Sequence, residues 1–235
     1  MLWSVEDAIK AFRSGIPVLI FDDWGREAEV DYVVHPRFVD ADRVFEMRRV
    51  AGGLICFAMC WDCARLLGID FAYRYLEHDP NLVKLVKKPS YGDYPAFSIW
   101  VNHVGVRTGI SDEDRALTIR ALGEVVELFW RGRWWDARVK FLEEFYSPGH
   151  VPILISRGLA RRLGHTEHSV ALAQLSGLSP AAVIVEMLSR GRSASLEEAY
   201  RVSREAGWPL IISRQVRDAW VQRVGEDMHC RYHLR

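Results

Sequence analysis

No apolar run in the 235 residues approaches the roughly 18 that a membrane-spanning helix needs. The first residues, Met1 to Asp7, carry Glu6 and Asp7 where a secretory leader would be basic, so a cytoplasmic protein with no membrane partner is expected. Cysteine is scarce. Four thiols, Cys56, Cys60, Cys63 and Cys230, are too few for a disulfide scaffold at this length. Neither sign of charge is in excess, with Lys+Arg and Asp+Glu both at 31, which argues against a nucleic-acid partner. Repeats, low-complexity tracts and hinge-like linkers are also missing. Hydrophobic residues at 49% and charged residues at 26% describe an ordinary globular chain.

Against that background one stretch stands out. Asp22, Asp23, Glu27, Glu29 and Asp31, with Arg26 among them, lie between the apolar runs Pro17–Phe21 and Tyr32–Val34. If residues 27 to 31 are extended, Glu27, Glu29 and Asp31 share one face, because strand side chains alternate with period two. Three carboxylates so close repel unless a cation or a shared proton offsets them. A polar hairpin with one solvated face accounts for the same residues equally well.

Elsewhere, apolar spacing and capping residues predict alternating helices and strands. Ser4 opens a helix through Phe12, Asp40 one to Ala51, Ser111 one towards Trp130 and Ser195 one to Ala206. Strands are predicted at 17–21, 32–34, 54–59, 96–104, 151–155, 181–185 and 210–213, with Ser147 to His150 as a turn. Residues 68–95 lack clean periodicity and read as a long connection, of the kind that often forms a lid. The Arg- and Trp-rich segment 131–145 is expected to be partly buried or to form a subunit interface. From about residue 216 a short helical tail should fray. Neighbouring strands can pair antiparallel, so the expectation is a single α+β domain over residues 1–235, with a mixed sheet flanked by helices. Cys60-x-x-Cys63 is read as buried thiols, for want of a second pair or a thioredoxin-like context.

A second informative stretch is Arg162-x-Gly164-His165-Thr166, directly ahead of an apolar-periodic helix. A helix N-terminus offers unpaired N–H groups and the positive end of a dipole, which suits a phosphate. Gly164 would let a ligand approach the backbone, Arg162 adds a two-pronged donor and Thr166 a hydroxyl. His165 beside it can bind a metal or move a proton. The plainer possibility is that His165 or Thr166 only caps the helix. His150 after Pro-Gly and Glu186 at the end of a buried strand are further acid–base candidates, and Cys56 reads as a small core residue. Carboxylate and imidazole ligation of Mg²⁺ or Mn²⁺, with a small sugar phosphate as substrate, would use the whole set.

The residues also fall into ordered motifs: Asp22-Asp23-x-x-Arg26-Glu27-x-Glu29-x-Asp31, Gly53-Leu54-Ile55-Cys56, Thr108-Gly109-Ile110-Ser111-x-x-Asp114-Arg115, Pro148-Gly149-His150-Val151, Arg162-x-Gly164-His165-Thr166-Glu167 and Ala181-x-Val183-Ile184-x-Glu186. From about residue 5 to 215 this order resembles 3,4-dihydroxy-2-butanone 4-phosphate synthase of riboflavin biosynthesis. The resemblance implies conversion of D-ribulose 5-phosphate into L-3,4-dihydroxy-2-butanone 4-phosphate and formate, with Mg²⁺ or Mn²⁺, in a homodimer whose sites lie at the subunit interface. It implies Glu27 and His165 as metal ligands. Arg26, Glu27, Asp31, Glu186 and the loop of Arg162, Gly164, His165 and Thr166 would contact substrate. His150, Glu186, Glu29 and Cys56 would serve catalysis. A GTP cyclohydrolase II domain, fused to some members, is not expected here.

Departures from the common bacterial motif are Gly25, Ala28 and Val30 in place of Asp, Asn and Gly, with Asn102 for Asp and Ser147 for Arg. Losing glycine at position 30 removes backbone freedom beside Asp31. Two other functions remain open from residues alone: a different metal-dependent sugar-phosphate isomerase or aldolase, and a non-catalytic nucleotide- or RNA-binding module using the Arg/Trp segment.

Overall fold

The computed structural model describes residues 3–225. Its strands, in chain order, are β1 (Val18–Phe21), β2 (Val30–Val34), β3 (Cys56–Cys60), β4 (Phe97–His103), β5 (Phe145–Ser156), β6 (Ala181–Glu186), β7 (Leu188–Ser189), β8 (Arg192–Ser193) and β9 (Leu210–Ile212). Seven form one mixed sheet in the order β4-β5-β3-β6-β2-β1-β9, and β7 with β8 forms a small hairpin. Within the sheet β3 and β5 are parallel, as are β1 and β9, while the other neighbours are antiparallel. The expected α+β domain is what the described residues form.

Every residue of β1, β2 and β3 is buried, which is the pattern of strands covered on both faces. The cover comes from α1 (Val5–Arg13), α2 (Ala41–Val50), α3 (Trp61–Leu67), α4 (Ala72–Glu77), α5 (Asp112–Trp130), α6 (Trp134–Glu144), α7 (His165–Leu175), α8 (Leu196–Ala206) and α9 (Ser213–Arg223). One group is built on α5, which packs on β3 to β6 and on α2 and α6. Another is built on α7, which lies against β3, β5 and β6 and beneath α1 and α9. The first nine residues of α7, His165 to Ala173, are all buried. That makes α7 an internal helix, so whatever its first turn carries is held firmly.

The structure adds to the sequence-based expectations in four places. Phe145 and Tyr146 extend β5 outward, opposite His103 and Asn102 of β4. Between them and Val151, residues 147–150 bulge out of the ladder at the step from Val101 to Asn102, with a cis peptide before Pro148, so the expected turn interrupts the strand rather than starting it. Residues 134–144 form α6, which buries Ala137 and Phe141 and exposes Trp134, Trp135 and Leu142. The long connection contains α4 and a short 3₁₀ turn over Leu82–Leu85. Finally, the helix expected from residue 216 is part of α9, on which Val216 and Trp220 are buried. The rest of the expected frayed tail lies outside the described residues.

Candidate active site

The acidic stretch is a turn followed by a strand. Asp22 N–H donates to the Glu29 carbonyl (2.9 Å), and its carboxylate accepts from Asp23 N–H (2.8 Å). Asp23 in turn accepts from Gly25 N–H (2.9 Å), and Ala28 adopts a positive φ of 52° to bring the chain back into β2. The extended run from Glu27 to Asp31 is therefore not observed; β2 starts at Val30. Val30 needs none of glycine's freedom: it is fully buried and lies opposite Phe21. The unusual backbone sits instead at Ala28, where the bacterial motif has Asn, a residue that tolerates this conformation.

The second half of the site is the first turn of α7. Glu167 there accepts from Arg157 N–H (2.9 Å), the Arg162 guanidinium (2.6 Å) and Gly164 N–H (3.2 Å). A Cβ on Gly164 would lie 2.2 Å from Arg162 Nη1, so this glycine makes room for the arginine rather than for a ligand. His165 Nε2 donates to the Ile20 carbonyl at 3.2 Å, which fixes the ring's orientation and turns Nδ1 towards the acidic turn. Nδ1 is 3.4 Å from Glu27 Oε2 and 3.7 Å from Asp31 Oδ1. A backbone carbonyl of β1 thus aims an imidazole at two carboxylates of the neighbouring turn and strand.

The residues fit a hard divalent cation. Donor atoms of Asp22, Glu27 and His165 all lie within 4.8 Å of one another. Asp31 Oδ1 is buried with no hydrogen-bond partner among the described residues, which is costly without a positive neighbour. Asp22 therefore both shapes the turn and stands in this cluster.

Charge is arranged accordingly. Burial raises the Glu27 pKa, but the His165 hydrogen bond and charge, with Arg26 and Arg162, outweigh it and hold the group at about 2. Burial pushes Asp31 up to about 7, with Glu186, Glu27 and Glu29 adding to the rise and His165 opposing it. Burial works against a charged His165, yet Asp31, Glu27 and Asp22 carry its pKa up to about 9. Glu186 is also raised, chiefly by burial, although it accepts from Leu54 N–H at 2.9 Å. Glu27 thus stays ionised beside two carboxyl groups, Asp31 and Glu186, that keep protons more readily.

A cavity of about 270 Å³ opens over this cluster, lined by Glu27, Glu29, Asp31, Arg162, His165, Thr166 and Glu186. Tyr91, Pro95 and Phe97 close one side of it, and a neighbouring cavity of about 560 Å³ shares Tyr91 and Arg162. Arg26 meets Asp22 (3.1 Å), Glu27 (3.1 Å) and Asp93 (2.7 Å), and Arg162 lies 3.8 Å from the same Asp93 carboxylate. Tyr91 and Asp93 went unnoticed in the sequence, because the segment that carries them has no periodicity to assign them a face. Glu167 lies within a motif visible in the sequence, yet its part in fastening Arg162 shows only in the fold. Glu186 is accommodated by Gly53, where a Cβ would sit 2.4 Å from the Glu186 carbonyl oxygen.

Two expected site residues stand apart. Cys56 is buried in β3, and burial, then Glu186 and Asp31, keeps its thiol protonated. His150 is exposed and does not line the cavity. Its N–H donates to Asn102 Oδ1 (2.8 Å), and its Nδ1 lies 3.1 Å from Asn102 Nδ2. Cys60 and Cys63 are free and buried, as expected.

The family model for 3,4-dihydroxy-2-butanone 4-phosphate synthase matches residues 6–218. A relative of that name from Archaeoglobus fulgidus is 40% identical over 226 residues, covering 92% of this chain and 93% of the relative. Another from Methanosarcina mazei is 36% identical, covering 95% and 94%. A solved 3,4-dihydroxy-2-butanone 4-phosphate synthase in complex with two magnesium ions superimposes with a TM-score of 0.73 at 25% identity, covering 95% of this chain and 99% of that one.

Proposed function

The chain belongs to the 3,4-dihydroxy-2-butanone 4-phosphate synthase family, and on that premise we propose how its residues carry the family's reaction. The substrate is D-ribulose 5-phosphate, and the products are L-3,4-dihydroxy-2-butanone 4-phosphate and formate. Glu27 and His165 hold a divalent cation, Mg²⁺ or Mn²⁺, with Asp22 as a third donor in reach. When bound, the cation supplies Lewis-acid polarisation of carbonyl and hydroxyl oxygens. Arg26, Arg162 and Thr166 take the phosphate, beside the first turn of α7, and so orient the sugar over the carboxylates. Asp31 and Glu186, both pushed towards the protonated form, and Glu29 hold and move protons at the sugar's carbons and hydroxyls. Tyr91, Pro95 and Phe97 shield that chemistry from water. Cys56 stays neutral in β3, near Glu186 and Asp31 but outside the cavity lining.

His150 joins the reaction from the other chain of a homodimer, which is why it is exposed here and away from its own cavity. The whole chain acts as one lyase domain in the cytoplasm. The observation that carries this reading is the aimed imidazole: Ile20 fixes His165 so that Nδ1 faces Glu27 and an otherwise unsatisfied Asp31. The test is formate release from ribulose 5-phosphate. It should require Mg²⁺ or Mn²⁺, stop with EDTA and return when metal is restored. Formate release that survives EDTA would overturn the metal assignment, and product without formate would indicate an isomerase or aldolase instead.

A further inference from the structure

Glu29 lines the cavity, yet its position is set by a part of the chain that no site motif includes. The sheet's β6 ends at Glu186, and the chain then makes the β7–β8 hairpin, with Arg190 and Gly191 at its tip. The root of that hairpin is stitched to the site: Met187 N–H donates to the Val30 carbonyl (2.8 Å), and Ala194 N–H donates to the Met187 carbonyl (2.7 Å). Ser193, on the returning strand, places its hydroxyl 2.5 Å from Glu29 Oε1 and donates to it.

The hairpin itself is braced by a single carboxylate. Glu198, at the third position of α8, accepts from Ser189 Oγ (2.9 Å) and from Arg192 Nη2 (3.2 Å) through Oε1. Its Oε2 accepts from Arg192 Nη1 (2.8 Å) and Ser195 N–H (2.7 Å). Both strands of the hairpin and the start of α8 therefore converge on one group. A two-residue hairpin has little stability of its own, so such a brace decides where its side chains point. With one Glu29 oxygen held by Ser193, the other is left for the cavity. A carboxylate on a half-exposed turn would otherwise sample several rotamers, and fixing one is worth a charge-assisted hydrogen bond.

We propose that Ser193, braced through Glu198, is a positioning residue that orients the Glu29 carboxylate for the reaction. The inference rests on the reading of Glu29 as an acid–base group. Ser193 touches no substrate atom in this account; it acts through Glu29 alone.

The experiment is steady-state kinetics of formate release with the full-length chain and saturating metal. Ser193→Ala should lower kcat about tenfold and leave KM within about twofold, as loss of one hydrogen bond to a charged group implies. Ser193→Thr, which keeps the hydroxyl, should recover most of that loss. The double variant Ser193→Ala with Glu29→Gln should be no slower than Glu29→Gln alone, since there is then nothing to position. Glu198→Gln, which keeps the side chain's shape, should show the same kcat-only loss to a lesser degree. Thermal midpoints within a few degrees of the parent would separate positioning from misfolding. If Glu29→Gln is impaired while Ser193→Ala is as active as the parent, the proposal fails and the role of Glu29 stands. If Glu29→Gln is itself fully active, both fail. A kcat loss in Ser193→Ala that adds in full to that of Glu29→Gln would also overturn it.

Discussion

The β1–β2 turn with the start of α7, and the outer ends of β4 and β5, use similar residues to opposite ends. In the first region carboxylates, guanidinia and an imidazole converge on one cavity, and the groups that aim them are buried. In the second, buried Asn102 hydrogen-bonds to both Tyr146 and His150, which are exposed and line neither cavity of the site. Both regions carry motifs of the same family. The difference separates a site assembled within one chain from a motif whose place in the chemistry rests on the proposed dimer.

The strongest way to break that comparison is to inactivate each region separately. Glu27→Gln or His165→Ala should lower formate release by about a thousandfold or more, and His150→Ala should be severe too despite its exposure. Mixing unfolded and refolded Glu27→Gln and His150→Ala chains should then restore up to about a quarter of the parent activity, because half the random dimers regain one intact site of two. No recovery in mixtures shown to contain mixed dimers would return His150 to its own chain's site.

A middle-sized effect sharpens the point that the first region depends on burial. His168, under the first turn of α7, is driven down to about 3, mainly by burial, and His35 to about 4 for the same reason. The unfolded chain takes up these protons near pH 6.5, while the folded chain resists until far lower. Stability is therefore full above about pH 6.5 and falls as pH drops through that window, by up to about 1.4 kcal/mol per pH unit for each group. Urea midpoints measured from pH 7 to pH 4 should fall, and His168→Gln should flatten part of the slope. An unchanged slope in that variant would remove His168 from the account.

The smallest effect tests the turn. Ala28→Gly relieves a positive φ but adds freedom to the unfolded chain, so a gain of at most about 1 kcal/mol is expected. Ala28→Val should lose about 1–2 kcal/mol, because a branched side chain tolerates that backbone poorly. Thermal midpoints separate the two.

Much of this was legible before the fold. Ser4, Asp40, Ser111 and Ser195 cap the helices they were expected to cap, each accepting an N–H from the first turn. The continuous apolar runs became inner strands. Glu27 and His165 meet as expected, though by way of a turn rather than a strand. What stayed hidden depended on partners far along the chain. The outer part of β5, Phe145 and Tyr146, exists because His103 and Asn102 of β4 pair with it, and α6 because Ala137 and Phe141 find a core to enter. Asp93 reaches Arg26 from 67 residues away, a distance over which no local pattern carries information.

The register between β2 and β6 sets Asp31 directly opposite Glu186, joining two parts of the chain that lie far apart in the sequence. Closing a loop of that length slows folding more than it costs stability, so this pairing is expected to form late. Catalytic competence should then appear only when the central sheet is complete, with no active intermediate before it. During refolding, formate release would trail helix formation and rise in step with the last tertiary signal, which makes turnover a clock for assembly of the whole sheet.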